Sequence, residues 1–185
     1  MRSRLLVAAT LALTLAACGE AGDADRHTAG QALADELSGS AKAAAPAQSP
    51  QAFADAIAAS DAYALAAARL AQAQAQSPAV KQFAAQIIQD QTVTTDELRD
   101  AAKRTHGVSV DPAPTKAQQQ ELLELRQAGD GFDNLYLRQQ IDAHEQALEE
   151  LRDYAENGDD PSLTEFAANA ENMIADHLRF ARQPS

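Results

Sequence analysis

The chain has 185 residues and a formal net charge of −12, with 15 basic and 27 acidic side chains, no Trp and a single cysteine. That length suits one domain with extensions. The acidic balance argues against nucleic acid and against electrostatic attraction to anionic lipid. One cysteine excludes an intramolecular disulfide and a thiolate metal cluster, and no EF-hand-like acidic run is present. Strong helix formers fill long segments and β-branched runs are almost absent, so the expected class is all-α.

The chain begins as an address. Arg2 and Arg4 form a basic region, and Leu5 to Ala17 is a short apolar one. This layout is that of a secretory signal and is too short for a transmembrane span. It closes on Leu15-Ala16-Ala17-Cys18, which resembles the bacterial lipobox. Residues 1–17 are therefore expected to be a lipoprotein signal peptide, and Cys18 the lipidated first residue of the mature protein. Several acyl chains make a stable anchor, because each buried methylene contributes about 0.8 kcal/mol. Gly19 follows the cysteine. By resemblance to lipoprotein sorting rules, the absence of Asp there favours the outer membrane over the inner, facing the periplasm.

Residues 18–49 are rich in Ala, Gly, Ser and Asp, without a wide apolar face. They read as a disordered tether, with a root-mean-square reach of roughly 30 Å. His27 falls here and reads as solvated.

Residues 50–183 carry the expected bundle. Ser49-Pro50 and Ser77-Pro78 each place an N-cap before a proline at the first helical position. The first helix is expected to reach Gln76, with a seam of Phe53, Ile57, Ser60, Ala64, Ala67 and Ala71. The second is expected to end near His106, before Gly107, with a seam of Val80, Ala84, Ile87, Gln91, Thr94, Leu98 and Ala101. His106 would then sit in the last turn, where the helix dipole favours a cation. A connection with two prolines leads to a short helix over 116–128, capped by Thr115. The third helix, from Phe132, carries Leu137, Ile141, Leu148, Leu151 and Ala155 on one stripe, with His144 in the one gap. The fourth starts at Asp160-Pro161 and aligns Leu163, Phe166, Ala170, Met173, His177 and Phe180. The long crossover between the second and third helices is a feature of ferritin-like bundles. The expected fold is thus an all-α four-helix bundle with a short extra helix in that crossover.

Each seam has a place where the expected leucine is missing: Ala64 or Ser60, then Gln91, His144 and His177. These residues are expected to form one polar layer. Buried polar groups need partners, and two readings follow. In one, Gln91, His144 and His177 satisfy one another and fix helix register. In the other, His144 and His177 hold a metal or a small ligand. Two histidines and an amide make a thin zinc site. The di-iron bundle pattern needs Glu-x-x-His on two helices, whereas Ile141 and Ile174 occupy those positions and the first helix has no glutamate.

The segments SDAYALAAARLA (60–71), SPAVKQFAAQIIQDQT (77–92), GFDNLYLRQQIDAHEQAL (131–148) and ADHLRFA (175–181) together resemble the bacterial domain-of-unknown-function family 4142, of the ferritin-like superfamily. The resemblance covers about Phe53 to Ala181. It implies a ferritin-like bundle and an envelope lipoprotein rather than a reaction. It also implies a glutamate after the tyrosine of the first segment and a histidine before the threonine of the second. Ala64 and Gln91 stand there instead, while His144 and His177 are kept. Two of the four polar members are thus replaced.

No Ser-His-Asp arrangement, phosphate-cradling loop or cofactor fingerprint is present, so no catalytic residue and no cofactor are assigned. The expectation is a non-enzymatic domain held at the membrane through Cys18, acting through protein contacts or in envelope stress tolerance. The alternatives are a metal- or small-ligand-binding bundle and a ferritin-like redox enzyme.

Overall fold

The computed structural model describes residues 48–183. The signal peptide, the lipobox with Cys18, His27 and nearly all of the tether lie outside the described residues. Within them the chain is all-helical: α1 (Pro50–Gln74), α2 (Pro78–Arg104), α3 (Lys116–Arg126), α4 (Phe132–Asn157) and α5 (Pro161–Ala181).

The starts follow from the caps. The side chains of Ser49, Ser77, Thr115 and Asp160 accept hydrogen bonds from backbone N–H groups in the first turns of α1, α2, α3 and α5. Each such cap satisfies a donor that has no partner within the helix. Thr115 and Gln118 complete a reciprocal capping box.

Three helix ends fall earlier than expected, each for a local reason. Pro78 keeps Ser77 extended, so α1 stops at Gln74. The Asp133 carboxylate of α4 then accepts from the N–H groups of Gln76 and Ser77, at 3.0 and 2.7 Å. Helix α2 stops at Arg104 because Thr105 turns inward and donates its hydroxyl to Asp160 at 2.8 Å. His106 is therefore exposed in the turn beyond the helix, not in its last turn, where Lys103 and Arg104 stand. Helix α3 stops at Arg126, and a 3-10 turn at Gly129–Gly131 leads into α4. Gly129 takes φ +54 there, a conformation that disfavours other residues.

Helices α1, α2, α5 and α4 form a closed ring of neighbours, and α3 lies against α1 and α4. The interior holds two apolar clusters. One gathers Phe53, Ile57, Leu98, Leu151, Tyr154 and Leu163. The other gathers Tyr63, Val80, Phe83, Ile87, Phe132 and Tyr136, with Leu122 and Leu125 of α3. On α1, α2 and α4 the break between the clusters is occupied by buried polar residues, namely Asp61, Gln91 with Thr94 and Thr95, and Gln140 with His144, while on α5 His177 is buried between Ile174 and Leu178. Asp61, Gln91 and His144 lie near the middles of their helices, and His177, near the end of α5, reaches the same level through its contact with His144.

The buried face of α4 is rotated from the expected stripe. Leu137, Ile141 and Ala155 are only half-buried, while Tyr136, Gln140, His144, Ala147, Leu151 and Tyr154 face inward. The aromatic rings decide this. Tyr154 stacks on Phe53 with ring centroids 4.0 Å apart, and Phe83 meets Tyr136 edge-on at 6.1 Å. Burying two tyrosine rings removes more apolar surface from water than burying Leu137 and Ala155. Ser60 likewise is half-buried, and its neighbour Asp61 takes the interior place. Gly158 closes α4 where a Cβ would lie 2.5 Å from both the ring and the carbonyl oxygen of Tyr154.

Candidate functional site

The polar layer is built on a chain of hydrogen bonds crossing three helices. His144 of α4 and His177 of α5 are 2% and 4% exposed. His144 Nδ1 lies 2.8 Å from the carbonyl oxygen of Gln140, one turn earlier in α4. His144 Nε2 lies 3.2 Å from His177 Nδ1. His177 Nε2 lies 2.8 Å from Asp90 Oδ2 of α2, which also accepts from Gln86 Nε2 at 2.7 Å.

The two ends of this chain fix its proton count. A carbonyl oxygen only accepts, so His144 Nδ1 carries a hydrogen. A carboxylate also only accepts, so His177 Nε2 carries one. The central contact between the two rings needs a third. Three hydrogens on two imidazoles are one more than two neutral rings hold. The complete network therefore contains one imidazolium charge, balanced by Asp90. Without that proton, one of the three contacts becomes lone pair against lone pair.

The environments place the charge on His177. Burial, together with the neighbouring positive His177, pushes His144 down to about 4, against the opposing pull of the Gln140 carbonyl. Burial holds His177 below its usual value, and the Asp90 hydrogen bond and negative charge offset only part of that fall. His144 thus acts as the neutral acceptor and His177 as the site of the extra proton.

Gln91 enters the layer but not the chain. It is 1% exposed, and its Oε1 has no protein hydrogen-bond partner. Ala64, where the family resemblance places a glutamate, is buried. Two participants were not singled out from sequence. Asp90 precedes the seam residue Gln91, but Phe83, Gln86 and Asp90 share helical spacing, which marks a second face of α2 toward α5. Asp61 is 3% exposed and accepts from Thr95 Oγ1 at 2.9 Å. Its place was legible in the series Ala54, Ala58, Asp61 and Ala68. Burial raises the Asp61 carboxyl to about 8, while the Thr95 hydrogen bond works against that rise.

A di-metal carboxylate centre does not fit these residues. Among the described residues no group of three or more His, Cys, Asp or Glu side chains could hold a metal ion. Asp90 stands beside His177, but both ring nitrogens of each histidine are already committed within the chain of hydrogen bonds.

The network can be tested by removing its middle. His144→Leu leaves the His177 Nδ1 side without a partner, which costs about 1–3 kcal/mol. Burying leucine in place of an imidazole offsets much of that loss. The expected result is a folded chain whose stability at pH 7 changes by less than about 2 kcal/mol. His177 should then be a neutral Nε2–H tautomer, read from imidazole nitrogen shifts. A His177 that is doubly protonated at pH 7 in this variant would contradict the proton count.

No curated protein and no solved structure matches the chain. The family model described as Domain of unknown function (DUF4142) matches residues 35–183. That match takes in every helix of the bundle and the whole polar layer, and the chain belongs to this family.

Proposed function

We propose that the protein is a lipid-anchored envelope component whose ferritin-like four-helix bundle acts by binding, not by catalysis, in contacts that support tolerance of envelope stress. The observation that carries this reading is the closed His144–His177–Asp90 network. Every ring nitrogen of its histidines is already engaged within the protein, which supports a holding role for the layer over that of a base or acid, which would first have to release a partner. Among the described residues no helix is long and apolar enough to cross a membrane. The membrane partner in this reading is reached through acylated Cys18 at the outer membrane, with the tether holding the bundle in the periplasm. The acidic surface supports the exclusion of nucleic acid.

The anchor has its own expected outcome. The mature chain should begin at Cys18 carrying acyl groups, and Cys18→Ala should leave it unprocessed or release it from membranes. Mass spectrometry finding an unmodified amino terminus at another residue contradicts the anchor. The role of the layer is tested in a strain lacking the protein and challenged with envelope stress. Complementation by His144→Leu should restore survival as fully as the parent chain does. Failure of an acylated, folded His144→Leu chain would mean that the histidine layer itself is required, and would overturn a reading in which it only holds the bundle together.

A further inference from the structure

Helices α2 and α5 part at the surface into a cleft of about 380 Å³. That volume is in the range of small-molecule sites. The cleft is lined by Phe83, Gln86 and Asp90 of α2 and by Met173, His177 and Phe180 of α5. Phe83 and Phe180 stack with ring centroids 4.6 Å apart, and Phe83 also meets His177 edge-on. The His177 end of the buried network therefore faces a cleft that opens to solvent. Asp90 Oδ2 is engaged by His177 and Gln86, while among the described residues Oδ1 accepts no hydrogen bond. The Asp90 side chain is 21% exposed.

We infer that this cleft binds a small organic ammonium ion with an apolar body, and that the ammonium replaces the imidazolium charge of His177 as the cation paired with Asp90. This rests on the reading of the bundle as a binding module and names what it binds. When the network gives up its extra proton, the hydrogen between His177 Nδ1 and His144 Nε2 is the one lost, and His177 Nε2 still donates to Asp90 Oδ2. The Asp90 carboxylate then has no cation beside it, and its Oδ1 has no hydrogen bond among the described residues. An unbalanced carboxylate beside an apolar cleft suits a group that brings N–H donors and one positive charge. A protonated amine is such a group, and the apolar body it carries rests on the phenyl rings and the Met173 thioether.

The exchange balances. One ammonium enters, one proton leaves for solvent, no covalent bond changes other than that N–H, and the charge of the site is the same before and after. His177 is thereby spared a second positive charge in a buried position. The charged groups facing His177 are Asp90 from α2 and His144 from α4. On α5 itself Asp176 also lines the cleft, paired with Arg179. An anionic ligand would meet two carboxylates here, and the net charge of −12 draws cations toward the surface.

The test uses the full chain purified from membranes in a non-ionic detergent, titrated calorimetrically with 2-phenylethylamine and, as the neutral counterpart, 2-phenylethanol. At pH 8 the amine should bind at least tenfold more tightly than the alcohol. Its affinity should fall by about tenfold per pH unit once the network holds its proton. Measured in phosphate and in MES at pH 6, its heat should differ by the difference in buffer ionisation heat for up to one released proton. Asp90→Asn, checked for an unchanged melting curve, should bring the amine down to the level of the alcohol. Equal binding of amine and alcohol overturns the ammonium exchange and leaves the binding reading standing. Amine binding without pH dependence or proton release also overturns the exchange. If neither probe binds, the cleft is not the site, and the survival of the complemented strain then decides the broader reading separately.

Discussion

Asp61→Asn is expected to stabilise the protein strongly at pH 8 and hardly at all at pH 4. The sign follows from the carboxyl itself. Its value in the folded chain is raised to about 8, from 3.8 when exposed. The folded state keeps the proton across a window in which the unfolded state has lost it. The contribution is fully present below pH 3.8 and is lost as pH rises through 8. Across that window the loss is on the order of 5 kcal/mol, at 1.36 kcal/mol per unit. Asparagine keeps an acceptor for the Thr95 hydroxyl and cannot ionise. His144 has the opposite slope. Its value is lowered from 6.5 to about 4, so its contribution is present above pH 6.5 and is lost as pH falls toward 4. In the parent chain the two slopes offset each other between about pH 4 and 6.5, and Asp61 alone makes stability fall from there to pH 8. In Asp61→Asn stability should instead rise from pH 4 to 6.5 and then level off. Urea midpoints at pH 4.5, 6.5 and 8 decide the matter. A variant with the same decline above pH 6.5 as the parent would show that Asp61 is ionised in the fold.

Phe53→Ala is expected to cost about 3–5 kcal/mol. The ring is fully buried, stacked on Tyr154 at 4.0 Å and edge-on to Phe166 at 6.3 Å. It joins α1 to both α4 and α5 at one end of the bundle. Its removal leaves a cavity that two large rings on separate helices cannot fill without moving their backbones. The urea midpoint should fall sharply with an unchanged slope, the sign of lost stability rather than of a changed unfolded state. A loss below about 1 kcal/mol would mean that the end of α1 does not anchor this cluster.

Local chemistry made much of the bundle legible. Ser49-Pro50, Ser77-Pro78, Thr115 and Asp160-Pro161 announce helix starts because a cap and a fixed φ act within one turn of chain. The seam of α2 was readable in full, since Val80, Ala84, Ile87, Gln91, Thr94, Leu98 and Ala101 are all buried. On α4 the same reasoning picked a face rotated from the real one. Spacing treats Leu137 and Tyr136 as competing stripes, and only packing against Phe83 and Phe132 favours the tyrosine.

The sequence by itself determined that this chain is helical, where each long helix begins, and that His144, His177 and Gln91 face the interior. These properties depend on the residue, its near neighbours and the 3.6-residue period. Only the tertiary structure decided which polar residues meet. It joined His177 to Asp90, 87 positions away, left Gln91 Oε1 without a protein partner, and buried Asp61 against Thr95. The reason is that a partner's position depends on how far each helix is rotated and shifted against the next. That setting is chosen by the aromatic clusters above and below the layer, not by the polar residues within it.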